Sequence, residues 1–141
     1  MVIGDGMAEE MITGGCLCGA LRYEASSEPQ HAGYCFCADC RKASGSAFIG
    51  FMGFSPEQIT VTGETRRHHS PAANGNTATR NYCAVCGSLV FGGGHDLGGV
   101  NVYAGSLDDP SQFQPRIAIF TRDKPHWAVM PEGVKQFETM P

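Results

Sequence analysis

Apolar positions along this chain recur mostly at every second residue, in short runs that glycine and polar residues interrupt. The runs "ALRYEA" at 20–25, "SAFIGFMGF" at 46–54 and "QITVTG" at 58–63 read as strands. So do "TATRNY" at 77–82, "SLVFGG" at 88–93, "GVNVYAG" at 99–105 and "RIAIFT" at 116–121. In 99–105, Val100, Val102 and Ala104 alternate with Asn101 and Tyr103, the mark of a strand with one buried face. "SAFIGFMGF" is apolar on both faces and is expected at the centre of a sheet. Helical periodicity is hard to find. "FSPEQ" and "DDPSQF" each place a polar cap before proline and predict single helical turns. "HHSPAANGNT" at 68–77 reads as a polar loop, too short to divide the chain. The expectation is one all-β domain over residues 12–141 with short helical turns, behind a loose lead-in over residues 1–11.

Composition sharpens this picture in three ways. Glycine, at 19 of 141 residues, adds to the case for strands and turns, because helix interiors disfavour it. The net charge of −4 shows no basic surplus, which argues against nucleic acid as a partner. No apolar run approaches the roughly 20 residues of a membrane span, so no membrane partner is expected. The opening "MVIGDGMAEEMITGG" has no cationic n-region and does not read as a signal peptide. A reducing cytoplasmic location is therefore expected.

Seven cysteines fall in three groups: "CLC" at 16–18, "CFCADC" at 35–40 and "CAVC" at 83–86. An odd count leaves one over in any disulfide framework, and a C-x-C pair is too close to bridge without strain. In a reducing compartment such clusters more often bind metal, and zinc is favoured. Gly19 and Gly87 follow the second cysteine of "CLCG" and "CAVCG", where a left-handed turn lets backbone N–H groups face the sulfurs. Grouping Cys16, Cys18, Cys83 and Cys86 gives a closed four-sulfur structural zinc site that ties the first strand to a point well past mid-chain.

Cys35, Cys37 and Cys40 are left. Three protein ligands with an open fourth position are the recurrent design of catalytic zinc. The alternative is a second structural site completed by His31, His68, His69, His95 or His126. An open three-thiolate zinc favours a further soft ligand, so an incoming thiol could bind there and lose its proton for carbon–sulfur chemistry. It should also be the more labile of the two metals. Arg41 and Lys42, next in sequence, could hold carboxylates of a peptide-like thiol; otherwise they belong to a solvated turn. Trp127 is expected as a core anchor rather than a substrate platform, with Phe48, Phe51 and Phe54 in the core and Tyr82 and Phe91 around the structural site. His68 and His69 are expected in solvent, the alternative being a place at the edge of the site.

In their order and spacing, "GGCLCGALRYE", "YCFCADCRKASGSAF" and "RNYCAVCGSLVF" resemble the glutathione-dependent formaldehyde-activating enzyme family, also called the centromere-protein-V/GFA domain. The tail "PRIAIFTRDKPHWAVMPEGVKQFETMP" continues the likeness, which covers the chain after residue 12. The resemblance implies an all-β "β-tent" with two zinc positions, structural at Cys16, Cys18, Cys83 and Cys86 and catalytic at Cys35, Cys37 and Cys40. It also implies condensation of formaldehyde with glutathione to S-hydroxymethylglutathione, a carbon–sulfur lyase reaction in reverse. Many members carry histidine where this chain has Phe36. In an extended segment, residue 36 faces away from Cys35 and Cys37. The competing expectation is a non-catalytic zinc-stabilised binding module, since relatives of the fold serve as interaction scaffolds. The incomplete three-cysteine group separates the two, because a scaffold gains little from an open zinc that invites oxidation.

Overall fold

Alternating burial sorts the strands into two sheets that share a core. The computed structural model describes residues 10–72 and 74–141, so the expected lead-in lies, through residue 9, outside the described residues. Strands β1 (Ile12–Gly15), β2 (Arg22–Ala25) and β5 (Ile59–Thr62) form an antiparallel sheet in the order β1-β2-β5. The larger sheet takes β3 (His31–Cys35), β4 (Ile49–Phe54), β6 (Thr65–Pro71) and β7 (Thr77–Cys83). It is completed by β8 (Leu89–Gly94), β9 (Gly99–Tyr103), β10 (Ile117–Ile119) and β11 (Lys135–Gln136). Its order is β11-β10-β3-β4-β9-β8-β7-β6. Strand β10 runs parallel to β3 and β11, and the other pairs are antiparallel. One helix, α1 (Ala38–Ser44), follows β3.

Strand parity decides what faces the core. Met52 and Phe54 of β4 lie opposite Val102 and Val100 of β9. All four pack with Ile12, Tyr23, Ala25 and Ile59 from the smaller sheet. Burying side chains of this kind stabilises the fold by roughly 1.5–3 kcal/mol each. Residues of the other parity, among them Phe51, Asn101 and Tyr103, line the far side of the large sheet. There a second apolar cluster joins Cys35, Cys37, Ile119 and Phe120.

Each of the seven predicted runs holds a strand, and β4 lies at the centre of the large sheet as expected. Both proline-led segments form single turns, at Pro56–Gln58 and Pro110–Gln112. In the second, Asp109 Oδ1 accepts from the Ser111 N–H at 3.0 Å. Two expectations fail. The loop expected over 68–77 is half strand, since His68–Pro71 pair with Thr77–Arg80 in the β6–β7 hairpin. Trp127 is 63% exposed rather than a core anchor. Its turn is held by Lys124 Nζ donating to the Ala128 carbonyl at 2.8 Å, and it lies outside both apolar clusters. Among the described residues no helix is long and apolar enough to cross a membrane.

Candidate metal centres and their cavity

The hairpin turn between β7 and β8 and the turn after β1 bring four cysteines together. Cys16, Cys18, Cys83 and Cys86 place their sulfurs within 4.8 Å of one another. Gly19 and Gly87 adopt φ of +85° and +79°, the left-handed turn that closes each knuckle. Backbone N–H groups then face sulfur: Leu21 donates to Cys16 Sγ at 3.2 Å, and Val85 and Cys86 donate to Cys83 Sγ at 3.3 and 3.4 Å. The Sγ separations are 3.6 Å for Cys16–Cys18 and 3.8 Å for Cys18–Cys83. Zinc–sulfur bonds of about 2.3 Å at the tetrahedral angle separate two sulfurs by about 3.8 Å, whereas a disulfide needs about 2.05 Å. The donor set fits zinc. Hydrogen bonds from the Ser88 side chain and backbone hold the Cys86 thiol down at about 5, which favours the thiolate a metal needs.

The second group is built across the end of β3 and the start of α1. Cys35 is paired between Ile49 of β4 and Ile119 of β10, and the Phe36 N–H donates to the Ile119 carbonyl at 3.0 Å. Cys37 caps α1, its sulfur accepting from the Cys40 N–H at 3.2 Å. The three sulfurs lie within 4.8 Å of one another. Thiol hydrogen bonds from Cys35 and Cys40 hold Cys37 far below the ordinary thiol range, while the same contacts with Cys37 and Cys40 push Cys35 up. A dication bound by all three sulfurs would favour the thiolate at each of them. Phe120, buried beside these cysteines, has φ +55° and ψ +40°, a left-handed conformation costing about 1–2 kcal/mol outside glycine.

All five histidines are among the described residues, and none joins the three sulfurs. The group is open. Phe36 packs instead with Tyr34 and Phe48, ring centroids 6.5 and 5.5 Å away, on the side opposite its flanking cysteines. Cys35 and Cys40 open into a cavity of about 950 Å³, lined mainly by apolar side chains such as Ile49, Phe51, Ile117 and Ile119. Arg41 and Lys42 follow Cys40 on α1 and are not in the cavity wall. The cation that does line the cavity is Arg80, near enough to Cys40 to favour its thiolate. Tyr103 lines it too, and burial holds its phenol above the ordinary range, so it stays protonated at neutral pH. His69 also borders the cavity, with Nδ1 2.8 Å from Thr79 Oγ1.

Sequence reasoning missed Arg80 and Tyr103 as site residues, although the signal was present. Each lies on the parity opposite the core positions of its own strand, as the alternation of Val100 and Val102 with Asn101 and Tyr103 shows.

Three comparisons bear on this geometry. The family model described as "Glutathione-dependent formaldehyde-activating enzyme" matches residues 11–123. A crystal structure of a Rhodobacter sphaeroides protein superposes with a TM-score of 0.51 at 17% identity, covering 89% of this chain and 98% of that one. That likeness shows a shared fold. No curated protein matches the sequence.

Proposed function

The chain belongs to the glutathione-dependent formaldehyde-activating enzyme family, and from that premise we propose that it is a zinc-dependent carbon–sulfur lyase acting on glutathione or a related thiol adduct. The observation that carries this reading is the contrast between the two cysteine groups. Four sulfurs close one around itself, while three leave the other facing a cavity of about 950 Å³. Zinc held by Cys35, Cys37 and Cys40 would supply a soft Lewis-acid position where an incoming thiol loses its proton.

The protein's own residues do the rest. Strand β3 fixes Cys35, and the first turn of α1 fixes Cys37 and Cys40, so the triad is held from both sides. Ile49, Phe51, Ile117 and Ile119 keep water from the reacting sulfur. In the synthetic direction the substrate's sulfur electron pair forms the bond to the formaldehyde carbon. The carbonyl π pair moves onto oxygen, and oxygen takes a proton; breakdown reverses each transfer. Tyr103, protonated and in the cavity wall, is the proposed donor to that oxygen. Arg41 and Lys42 are proposed contacts for a carboxylate of a peptide-like thiol that extends beyond the cavity. All seven cysteines are unpaired, which suits a reducing, cytoplasmic location.

Cobalt substitution tests the reading. Glutathione should change the cobalt absorption in the charge-transfer region, and S-methylglutathione, whose sulfur cannot become a thiolate, should do so weakly. No response to any small thiol would refute the enzyme reading in favour of a binding module.

A further inference from the structure

Arg80 stands on β7 with its side chain in the cavity wall, and its surroundings leave it incompletely paired. Nη1 donates to Ser70 Oγ at 3.2 Å. Nε is buried without a partner, the only side-chain nitrogen or oxygen in that condition among the described residues. Three other arginines find carboxylates, Arg22 at Asp108, Arg67 at Asp96 and Arg122 at Asp123, but among the described residues no acid forms an ion pair with Arg80. Among the described residues no aspartate or glutamate side chain lines the cavity.

A guanidinium brought out of water needs an anion or a full set of acceptors. Besides the carboxylate of Pro141, which lines the cavity but forms no ion pair with Arg80, two anions are chemically available: the sulfur cluster, near Arg80 at Cys40, and a group carried in by a ligand. The cluster does not satisfy the guanidinium, because Nε remains unpaired beside it. Nε and the neighbouring Nη2 form a planar fork that matches the two oxygens of a carboxylate, with Nη1 held by Ser70, and a turn of the side chain brings the buried Nε to the cavity face. The cavity has room for a small molecule spanning both sites.

We propose that Arg80 is a specificity residue, receiving the carboxylate of a ligand whose sulfur is directed to Cys35, Cys37 and Cys40. The site therefore selects anionic thiols over neutral ones. This rests on the thiol reading above and goes beyond it by naming the group that selects the substrate class.

The test is isothermal titration of zinc-reconstituted protein with 3-mercaptopropionate and its neutral counterpart 3-mercaptopropionamide. Wild type should bind the carboxylate roughly tenfold or more tightly, the value of one charge-assisted hydrogen bond. Arg80→Gln should bind both thiols with the affinity of the amide, at unchanged zinc content. Equal weakening of both thiols would show that Arg80 serves only the sulfur cluster, and an intact preference would show that it serves neither; each overturns the proposal. Should Arg80→Gln fail to fold, Arg80→Lys keeps the charge without the fork. A reduced preference there supports the assignment, and a full one overturns it. If wild type carrying two zincs binds neither thiol, the thiol reading itself fails and this inference falls with it. Failure of the Arg80 assignment alone leaves both thiols bound.

Discussion

Replacing Cys83 with serine removes one ligand from the four-sulfur group and should destabilise the whole fold. Cys83 is buried at the end of β7, and its sulfur faces that of Cys18, 65 positions earlier. A metal link across those positions restricts the unfolded chain much as a covalent cross-link would, worth about 4 kcal/mol for a loop of that length. The N–H groups of Val85 and Cys86 also lose their sulfur acceptor, although a serine oxygen partly replaces it. Against a typical total stability of about 5–15 kcal/mol, such a loss is large. It corresponds to a fall in melting temperature of roughly 10–15 °C for a chain of this size. Thermal melts followed by circular dichroism, with zinc per chain measured by mass spectrometry, give both numbers. A strong chelator should bring the wild type close to the variant. A variant that melts with the wild type and keeps its full zinc content would refute the grouping.

Cys37→Ser should behave differently, because serine is a good N-cap and can take over the contact with the Cys40 N–H. It should melt close to the wild type while losing one zinc per chain; failure to fold, or loss of both metals together on mild chelation, would contradict the division of roles. Tyr103→Phe should lower the rate of thiol–formaldehyde condensation above the uncatalysed background by about 10²-fold or more, at unchanged zinc content. An unchanged rate would place the proton donor elsewhere. Asn81, fully buried, donates to the Phe91 and Gly93 carbonyls and accepts from Arg67 Nε, so Asn81→Ala should cost about 3 kcal/mol in urea unfolding. A negligible loss would mean that those carbonyls find other partners.

The sequence was most legible where one face of a strand is buried. Val100 and Val102 alternate visibly with Asn101 and Tyr103 because β9 has the core on one side and the cavity on the other. The cysteine groups were legible for a different reason. Their spacing and trailing glycines are local signatures of knuckles, and the structure closes Cys16 and Cys18 onto Cys83 and Cys86. Strand β6 was hidden because it is an edge strand, exposed along most of its length, and its sequence carries no apolar alternation. Helix α1 was hidden because none of its seven residues is buried, so no apolar stripe marks it. Arg80 needed tertiary information. Its parity in "TATRNY" puts it opposite Asn81 and Cys83, but only the sheet order brings β7 to the cavity that Cys35 enters from β3.

The central claim is that one chain holds a closed four-sulfur zinc and an open three-sulfur zinc. Zinc-edge X-ray absorption on protein reconstituted with two metals counts the sulfurs directly. The account predicts a mean of about 3.5 sulfurs per zinc, completed by a light ligand at the open position and rising to about 4 when glutathione is added. Nitrogen scattering from a coordinated histidine at the second zinc, with no change on adding glutathione, would contradict it.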